Sequence, residues 1–245
     1  MMKRMVLLAA AILAVLTAVP LFAAAAAENF EWPKAGFVTG SRVNLRNGPS
    51  TSAKVVGRFG HDYETGELVV TGTEKTGEEF PWYRVLSHQF GEGWIYGKFL
   101  SVEETDSTVR RYVMKIREDF GISPALAVKM YGEPMKREER KVKLPDFNTT
   151  VHIVDLFFHG HNATYWNGAL QAVDIPAGFM GFGDIVMGMD AGEALSRLGA
   201  PSEKESPERY FYIHERDEID IMFDRDPEDG GGRVTGLHYR RVVYD

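Results

Sequence analysis

Apolar and polar residues alternate in short runs between residues 36 and 102. In the segment VNLR, Val43 and Leu45 alternate with Asn44 and Arg46, which is the period of a strand with one face in a core. The Asn-Gly-Pro-Ser segment that follows supplies residues typical of a sharp turn. Similar runs recur at KVVGRF, GELVVTGTEK, WYRVLS and GEGWIYGKFLS, joined by glycine-rich connections. This pattern predicts a small all-β barrel over residues 36–102.

The hydrophobic period changes from two to that of a helix after residue 105. One helical face is formed by Val109, Tyr112, Val113, Ile116 and Phe120. Gly121 follows, and glycine commonly ends a helix. The sequence therefore predicts a helix over Thr105–Phe120 that connects the barrel to a second domain.

Two later segments resemble each other, namely GISPALAVKMYGEP and GMDAGEALSRLGAP. Each reads as an eight-residue helix that begins after a capping side chain, Ser123 or Asp190. Each helix ends at a glycine, Gly132 or Gly199, that suits a left-handed backbone, and a proline follows shortly after. This likeness predicts an internal duplication.

Alternating runs follow both predicted helices. VHIVDLFF and ALQAVDI follow the first helix, and RYFYIHERDEIDIMFD and GRVTGLHYRRV follow the second. Aligning the two copies pairs Phe158 with Phe223 and Val173 with Leu237. The Asn167-Gly168 dipeptide indicates a tight hairpin, and the DPEDGGG segment indicates a looser turn. We therefore predict an α+β domain over residues 105–245, made of two helix-plus-antiparallel-strand repeats at about 105–178 and 182–245, with about three strands in each.

The first 27 residues have the layout of an export signal. Lys3 and Arg4 precede an apolar run from Met5 to Val19, and an alanine-rich tract ends the segment. This layout predicts a signal peptide over residues 1–27 and a periplasmic or extracellular protein. An uncleaved membrane anchor is the alternative, although the run is short for a spanning helix.

The charge and the absence of cysteine argue against several classes of function. The 28 basic and 35 acidic residues give a net charge of −7, and no basic tract offers a surface for nucleic acid. The chain contains no cysteine. It therefore has no disulfide, no acylation site of a lipoprotein and no cysteine nucleophile.

The first domain resembles the bacterial SH3 (SH3b) domain of cell-envelope proteins. The matching segments are VTGSRVNLRNGPSTSAKVVGRFGHDYE, WYRVLS and GEGWIYGKFLS, in that order. An acidic insert, TEKTGEEFP at residues 73–81, lengthens one loop relative to the family pattern. The resemblance implies a ligand groove for a peptidoglycan peptide or for another envelope protein.

Six residues are the candidates for that groove. They are the polar residues Asn44 and Arg46 and the aromatic residues Trp82, Tyr83, Trp94 and Tyr96. Trp94 and Tyr96 are two residues apart and are expected on one face of a strand. The alternative is that Arg46 is a solvated strand residue and that the large rings fill the barrel core. A groove of exposed aromatic rings would suit an extended peptide.

The second domain also carries a family resemblance. Gly188, Met189, Glu193, Leu195, Leu198, Gly199 and Pro201 resemble an element of the small lipoproteins of outer-membrane barrel assembly. A tandem pair of such units is similar to the beta-lactamase-inhibitor protein fold. The resemblance implies binding of another protein without an active site, and the missing cysteine departs from the lipoprotein members.

Patterns for catalysis are scarce. The sequence contains neither Gly-x-Ser-x-Gly nor His-Glu-x-x-His, which are typical of serine hydrolases and zinc peptidases. The weak metal candidates are His152, His159 and His161, with Asp155 nearby. His159 and His161 would share a strand face and could share a metal. The alternative is that Gly160 and Asn162 mark a hairpin tip where histidine is merely tolerated, and we predict no metal and no cofactor.

These observations favour a non-catalytic, exported binding protein of the bacterial cell envelope. Its barrel would recognise peptidoglycan peptide or a protein partner, without contact to nucleic acid, and only an uncleaved signal would hold it at a membrane. One alternative is an accessory or degenerate peptidoglycan hydrolase that uses a histidine or carboxylate site. Another is a protein inhibitor that acts through the duplicated domain.

Overall fold

The computed structural model describes residues 28–60, 66–144, 148–176, 178 and 180–242. The predicted signal segment at residues 1–27 lies outside the described residues. The described part forms a seven-stranded sheet, an eight-stranded sheet, a two-stranded ribbon and three α-helices. None of the described helices has the length and apolar character needed to cross a membrane.

The first sheet forms the barrel. Its strands are β1 (Glu28–Val38), β2 (Val43–Arg46), β3 (Val55–Phe59), β4 (Leu68–Glu74), β5 (Trp82–Ser87), β6 (Gly91–Tyr96) and β7 (Leu100–Val102). They lie in the order β3-β2-β6-β5-β4-β1-β7, and β1 pairs with both β4 and β7. The sheet starts at Glu28, ahead of the boundary predicted at residue 36. The first part of β1 was not predicted because it contains Pro33, which lies where the register with β4 shifts.

The barrel core confirms the alternation in β2. Val43 and Leu45 are buried, whereas Asn44 and Arg46 are half-buried on the other face of the strand. Gly93 of β6 crosses over Leu45 so closely that a Cβ atom at this glycine would lie 2.5 Å from Leu45 Cγ. The remaining core residues are Val38, Phe59, Leu68, Val70, Val85, Ile95 and Leu100.

Helix α1 (Thr108–Phe120) packs between the barrel and the second sheet. Ser107 caps it by accepting a hydrogen bond from the backbone N–H of Arg110 at 3.2 Å. The predicted apolar face is buried except for Val109, which is half-buried. Arg110 and Arg117, which were not part of the predicted face, are also buried.

The two buried arginines of α1 belong to an ionic cluster, here called the charge junction, which joins the two domains. Its members are Glu67 and Glu103 of the barrel domain, Arg110 and Arg117 of α1, and Asp217 and Tyr239 of the second sheet. Arg117 Nη2 donates to Asp217 Oδ1 at 2.8 Å, and Arg117 also contacts Glu67. The Tyr239 hydroxyl donates to the same Asp217 oxygen at 2.7 Å. The barrel and the second domain are therefore connected through buried, paired charges.

The second domain contains two short helices, α2 (Pro124–Tyr131) and α3 (Ala191–Leu198). Both have the predicted bounds and caps: Ser123 Oγ accepts from the backbone N–H of Leu126, and Asp190 Oδ1 accepts from that of Glu193. The glycines that end them, Gly132 and Gly199, have the expected positive φ angles of 79° and 81°. These predictions are confirmed.

The first four strands of the eight-stranded sheet are β8 (Lys136–Leu144), β9 (Thr149–Phe157), β10 (Asn162–Trp166) and β11 (Ala169–Ile175). The separate ribbon consists of β12 (Gly181–Phe182) and β13 (Ile185–Val186). The last four strands of the sheet are β14 (Glu203–Ser206), β15 (Arg209–His214), β16 (Asp217–Phe223) and β17 (Val234–Arg241). The eight strands are antiparallel and lie in the order β14-β15-β16-β17-β11-β10-β9-β8. Each helix thus precedes four sheet strands rather than about three. The additional strands, β8 and β14, are charged edge strands without apolar alternation.

The two halves of this sheet meet at β11 and β17. Val173 pairs with Tyr239 and Ile175 pairs with Leu237, so a local twofold axis through the Asp174–His238 pair relates Val173 to Leu237. Phe158 follows the second strand of its half, whereas Phe223 ends the third strand of the other half, so these two residues are not equivalent. The duplication itself stays a prediction. The Asn167-Gly168 hairpin is confirmed, with both residues at positive φ.

Candidate functional site

A cavity of about 240 Å³ opens on the barrel surface, and we call it the aromatic groove. It is lined by Ser41, Arg42, Val43, Asn44, Arg46, Thr51, Trp82, Tyr96 and Phe99. The structure therefore places Asn44, Arg46, Trp82 and Tyr96 around one depression, although they come from three different strands. Phe99, which lies in the 3₁₀ turn after β6, was not among the predicted residues.

The aromatic side of the groove consists of three neighbouring rings that differ in exposure. Trp82 is only 2% exposed, and its indole N–H donates to Glu78 Oε2 at 2.9 Å. The Tyr96 ring lies 5.3 Å from the Trp82 ring and 6.3 Å from the Phe99 ring, measured between centroids. Phe99 is 40% exposed. Trp82 therefore forms the floor, whereas Tyr96 and Phe99 present the accessible aromatic surface.

The acidic insert at residues 73–81 supports this aromatic surface. Glu78 accepts the indole hydrogen bond of Trp82, as described above. Phe80 packs edge-on against Tyr96 at 5.8 Å between centroids, and its backbone N–H donates to the Tyr96 hydroxyl at 3.2 Å. The insert thus holds the ring of Tyr96 through one aromatic contact and one hydrogen bond.

The polar side of the groove is held by hydrogen bonds within the barrel. Arg46 Nη1 donates to the backbone carbonyl of Ala53 at 2.6 Å, which ties down the loop between β2 and β3. Asn44 Oδ1 accepts from Arg58 Nε at 2.9 Å. Arg42 is exposed at the rim and has a left-handed backbone with φ of 59°. Arg46 therefore stabilises the loop between β2 and β3 and also lines the groove.

The other two predicted aromatic residues lie outside the aromatic groove. Trp94 is half-buried on the same face of β6 as Tyr96, as expected, but it lines a different cavity next to Asn47 and Phe90. Tyr83 packs against the barrel core. The structure therefore does not bring the four predicted aromatic rings together in a single groove.

The three candidate metal-binding histidines are in different environments. His159 and His161 lie in the turn between β9 and β10 rather than on a strand, so the prediction that they share a strand face is wrong. His159 is exposed, whereas His152 Nε2 lies 3.0 Å from Glu139 Oε2 at the sheet edge. In the described part of the chain, no three histidine or acidic side chains are grouped as metal ligands would be.

His161 occupies an aromatic enclosure instead of a metal site. It is 1% exposed, and its ring lies 4.8 Å from Phe158, 4.5 Å from Tyr131 and 5.0 Å from Phe120, measured between centroids. Among the described residues, neither ring nitrogen has a hydrogen-bond partner. Burial lowers the pKa of His161 to about 4, which keeps the ring neutral at neutral pH.

Comparisons with known proteins find a family match for the barrel. The family model of the bacterial SH3 domain matches residues 41–101. This part of the chain is therefore similar to bacterial SH3 domains. The match includes β2–β6 and the groove residues from Ser41 to Phe99, and it lies within the predicted boundaries of 36–102.

The comparisons extend little beyond the SH3 domain. No curated protein matches the chain. One solved structure, an extracellular protein containing an SCP domain from Bacillus anthracis str. Ames, is similar at 9% identity with a TM-score of 0.36. The similarity covers 58% of this chain and 48% of that protein, so the chain spans about half the length of its solved neighbour. A likeness this weak carries no argument about the second domain.

Proposed function

We propose that this chain is a non-catalytic, exported protein of the bacterial cell envelope whose SH3 domain binds a peptide of peptidoglycan in the aromatic groove. The bacterial SH3 match supports a role in binding cell wall or peptidoglycan. The observation that carries the proposal is the groove itself, in which the aromatic residues Tyr96 and Phe99 and the polar residues Arg42 and Asn44 line one cavity. Such aromatic rings accommodate an extended backbone by flat contact, while the polar residues reach its amide groups.

A binding assay on purified peptidoglycan sacculi tests this proposal. Phe99→Ala should lower retention about three- to tenfold, because one aromatic contact typically contributes about 0.5–1.5 kcal/mol. Phe37→Ala is the matched control, since Phe37 is exposed to 41% against 40% for Phe99 and is not among the groove-lining residues. Circular dichroism would show that both variants are folded.

Two results would contradict the proposal. One is retention of the unmodified protein no greater than that of an unrelated acidic protein. The other is an equal loss of retention for Phe37→Ala and Phe99→Ala, which would indicate nonspecific adsorption. The hydrolase alternative is tested in the same samples, because it requires soluble muropeptides to be released during the incubation. Fractionation of the producing cells tests the exported location.

A further inference from the structure

A second, larger opening separates the SH3 domain from helix α2, and we call it the interdomain cleft. Its first lobe has a volume of about 760 Å³ and its second lobe about 440 Å³. Glu92, Leu126 and Lys129 line both lobes, so these residues stand at the division between them. The first lobe is in the size range of small-ligand pockets, about 300–1,000 Å³.

Apolar side chains from both domains line the first lobe. Val56 and Phe90 of the barrel are 42% and 37% exposed, and Trp94 is half-buried beside them. Leu126 of α2 also lines this lobe, although it is only 7% exposed. Exposed side chains of this size are costly to leave in water, and their convergence on one cavity favours an apolar ligand.

Helix α3 provides an internal comparison for the cleft-facing helix. Both helices have eight residues and the same type of caps. The exposed side of α3 carries Glu193 and Arg197, which form an ion pair. In α2 the one charged residue is Lys129, and the exposed side also carries Met130 at 47% exposure. The apolar surface therefore belongs to the helix that faces the barrel.

The division between the lobes carries an excess of positive charge. Lys129 Nζ lies 3.1 Å from Glu92 Oε2, and Arg84 Nε donates to Glu92 Oε1 at 2.6 Å. Burial alone would raise the pKa of Glu92, but the hydrogen bonds and charges of Arg84 and Lys129 lower it overall, so this carboxylate is ionised at neutral pH. Two cations thus share one carboxylate, and the Lys129 side chain is 68% exposed.

The first lobe holds only part of this charge, because Glu92 and Lys129 line both lobes whereas Arg84 lines the second lobe. His88 is neutral at neutral pH because burial lowers its pKa. In the second lobe, Lys115 is paired with both Glu118 at 2.8 Å and Asp119 at 2.7 Å, and Glu31 is exposed. The positive charge is therefore confined to the division between the lobes. A ligand is accordingly favoured with an anionic end at the division, beside Lys129 and Arg84, and with its remainder in the first lobe.

We propose that the interdomain cleft binds a short apolar peptide with a free C-terminal carboxylate, received by Lys129 and Arg84 while its side chains lie against Trp94 and Phe90. This site is separate from the aromatic groove and requires both domains. The cation pair selects the carboxylate by charge, as in other charge-assisted hydrogen bonds. Loss of groove binding would leave the proposed cleft site unaffected.

NMR titration of the full chain tests the proposal with two probes, acetyl-Ala-Leu-Ala as the free acid and the same peptide as its carboxamide. The indole N–H resonance of Trp94, assigned with Trp94→Phe, is the readout. The acid should shift it saturably, and the amide should bind at least about fivefold more weakly. Lys129→Ala should weaken binding of the acid by a similar factor and leave the amide unchanged.

Arg197→Ala is the matched control because Arg197 lies on the equivalent solvent-exposed helix, and it should change neither titration. Phe99→Ala should also leave them unchanged, which distinguishes this site from the groove. Equal affinity for acid and amide would overturn the proposal, and so would the absence of a saturable shift at Trp94. If Lys129→Ala unfolds the protein, two other measurements test the proposal. They are the titrations of Lys129→Gln and the comparison of acid and amide on the unmodified chain.

Discussion

The barrel meets the second domain at two places that differ in kind. At the charge junction, Arg117 and Asp217 are buried, and each has several partners. At the interdomain cleft, the contact between α2 and the barrel is an exposed ion pair across an opening. A buried charge is stable only with its partners in place, whereas an exposed pair can separate at little cost. The junction therefore anchors the domains, and the cleft is the side that can admit a ligand.

The largest effect is expected at the charge junction. Arg117→Ala should lower the free energy of unfolding by about 3–5 kcal/mol, because it leaves Asp217 and Glu67 without their shared cation in a buried site. Urea unfolding measures this. Arg137→Ala is the control, since Arg137 pairs with Glu139 at the surface and should cost less than about 1 kcal/mol. Equal costs for the two variants would show that the junction does not anchor the domains.

The next effect concerns the enclosure of His161 beside Tyr131, at the end of the cleft-facing helix. Because burial lowers the pKa of His161 to about 4, the unfolded chain takes up this proton first as the pH falls. Stability should decrease from about pH 6.5 to pH 4 and lose about 3 kcal/mol in total. His161→Phe should remove that part of the pH dependence in urea titrations. An unchanged pH dependence would show that the ring is already charged or solvated in the folded state.

A smaller effect compares the two helix caps. Ser123→Ala and Asp190→Ala should each cost about 1 kcal/mol, because each removes a side-chain acceptor from the first turn of its helix. Only Ser123→Ala should also shift the Trp94 indole resonance, since Ser123 and Trp94 line the same lobe of the cleft. A shift of this resonance in both variants would mean that α3 is coupled to the cleft as well.

The smallest effect is expected for the ion pair across the cleft. Without peptide, Lys129→Ala should change the free energy of unfolding by less than about 1 kcal/mol, because the Lys129 side chain is 68% exposed and Glu92 keeps Arg84. Urea unfolding at low and high salt measures this. A loss above about 2 kcal/mol would show that the pair holds the domains together, as the junction does.

Local features of the sequence were sufficient to predict several elements. The bounds and caps of α2 and α3, the inward positions of Val43 and Leu45, and the Asn167-Gly168 hairpin were all predicted and are present in the structure. Strand and helix periods, capping side chains and positive-φ turns are encoded by neighbouring residues, so they can be read without knowledge of the fold.

The tertiary structure alone decided which residues became partners across the chain. Arg117 and Asp217 are 100 residues apart, and the apolar face predicted for α1 did not include its two buried arginines. The environments of the two tryptophans were likewise decided by tertiary contacts. Trp82 is buried at the floor of the aromatic groove, whereas Trp94 lines the interdomain cleft beside α2. Burial of a polar or aromatic side chain depends on what packs against it, and elements distant in sequence supply those contacts.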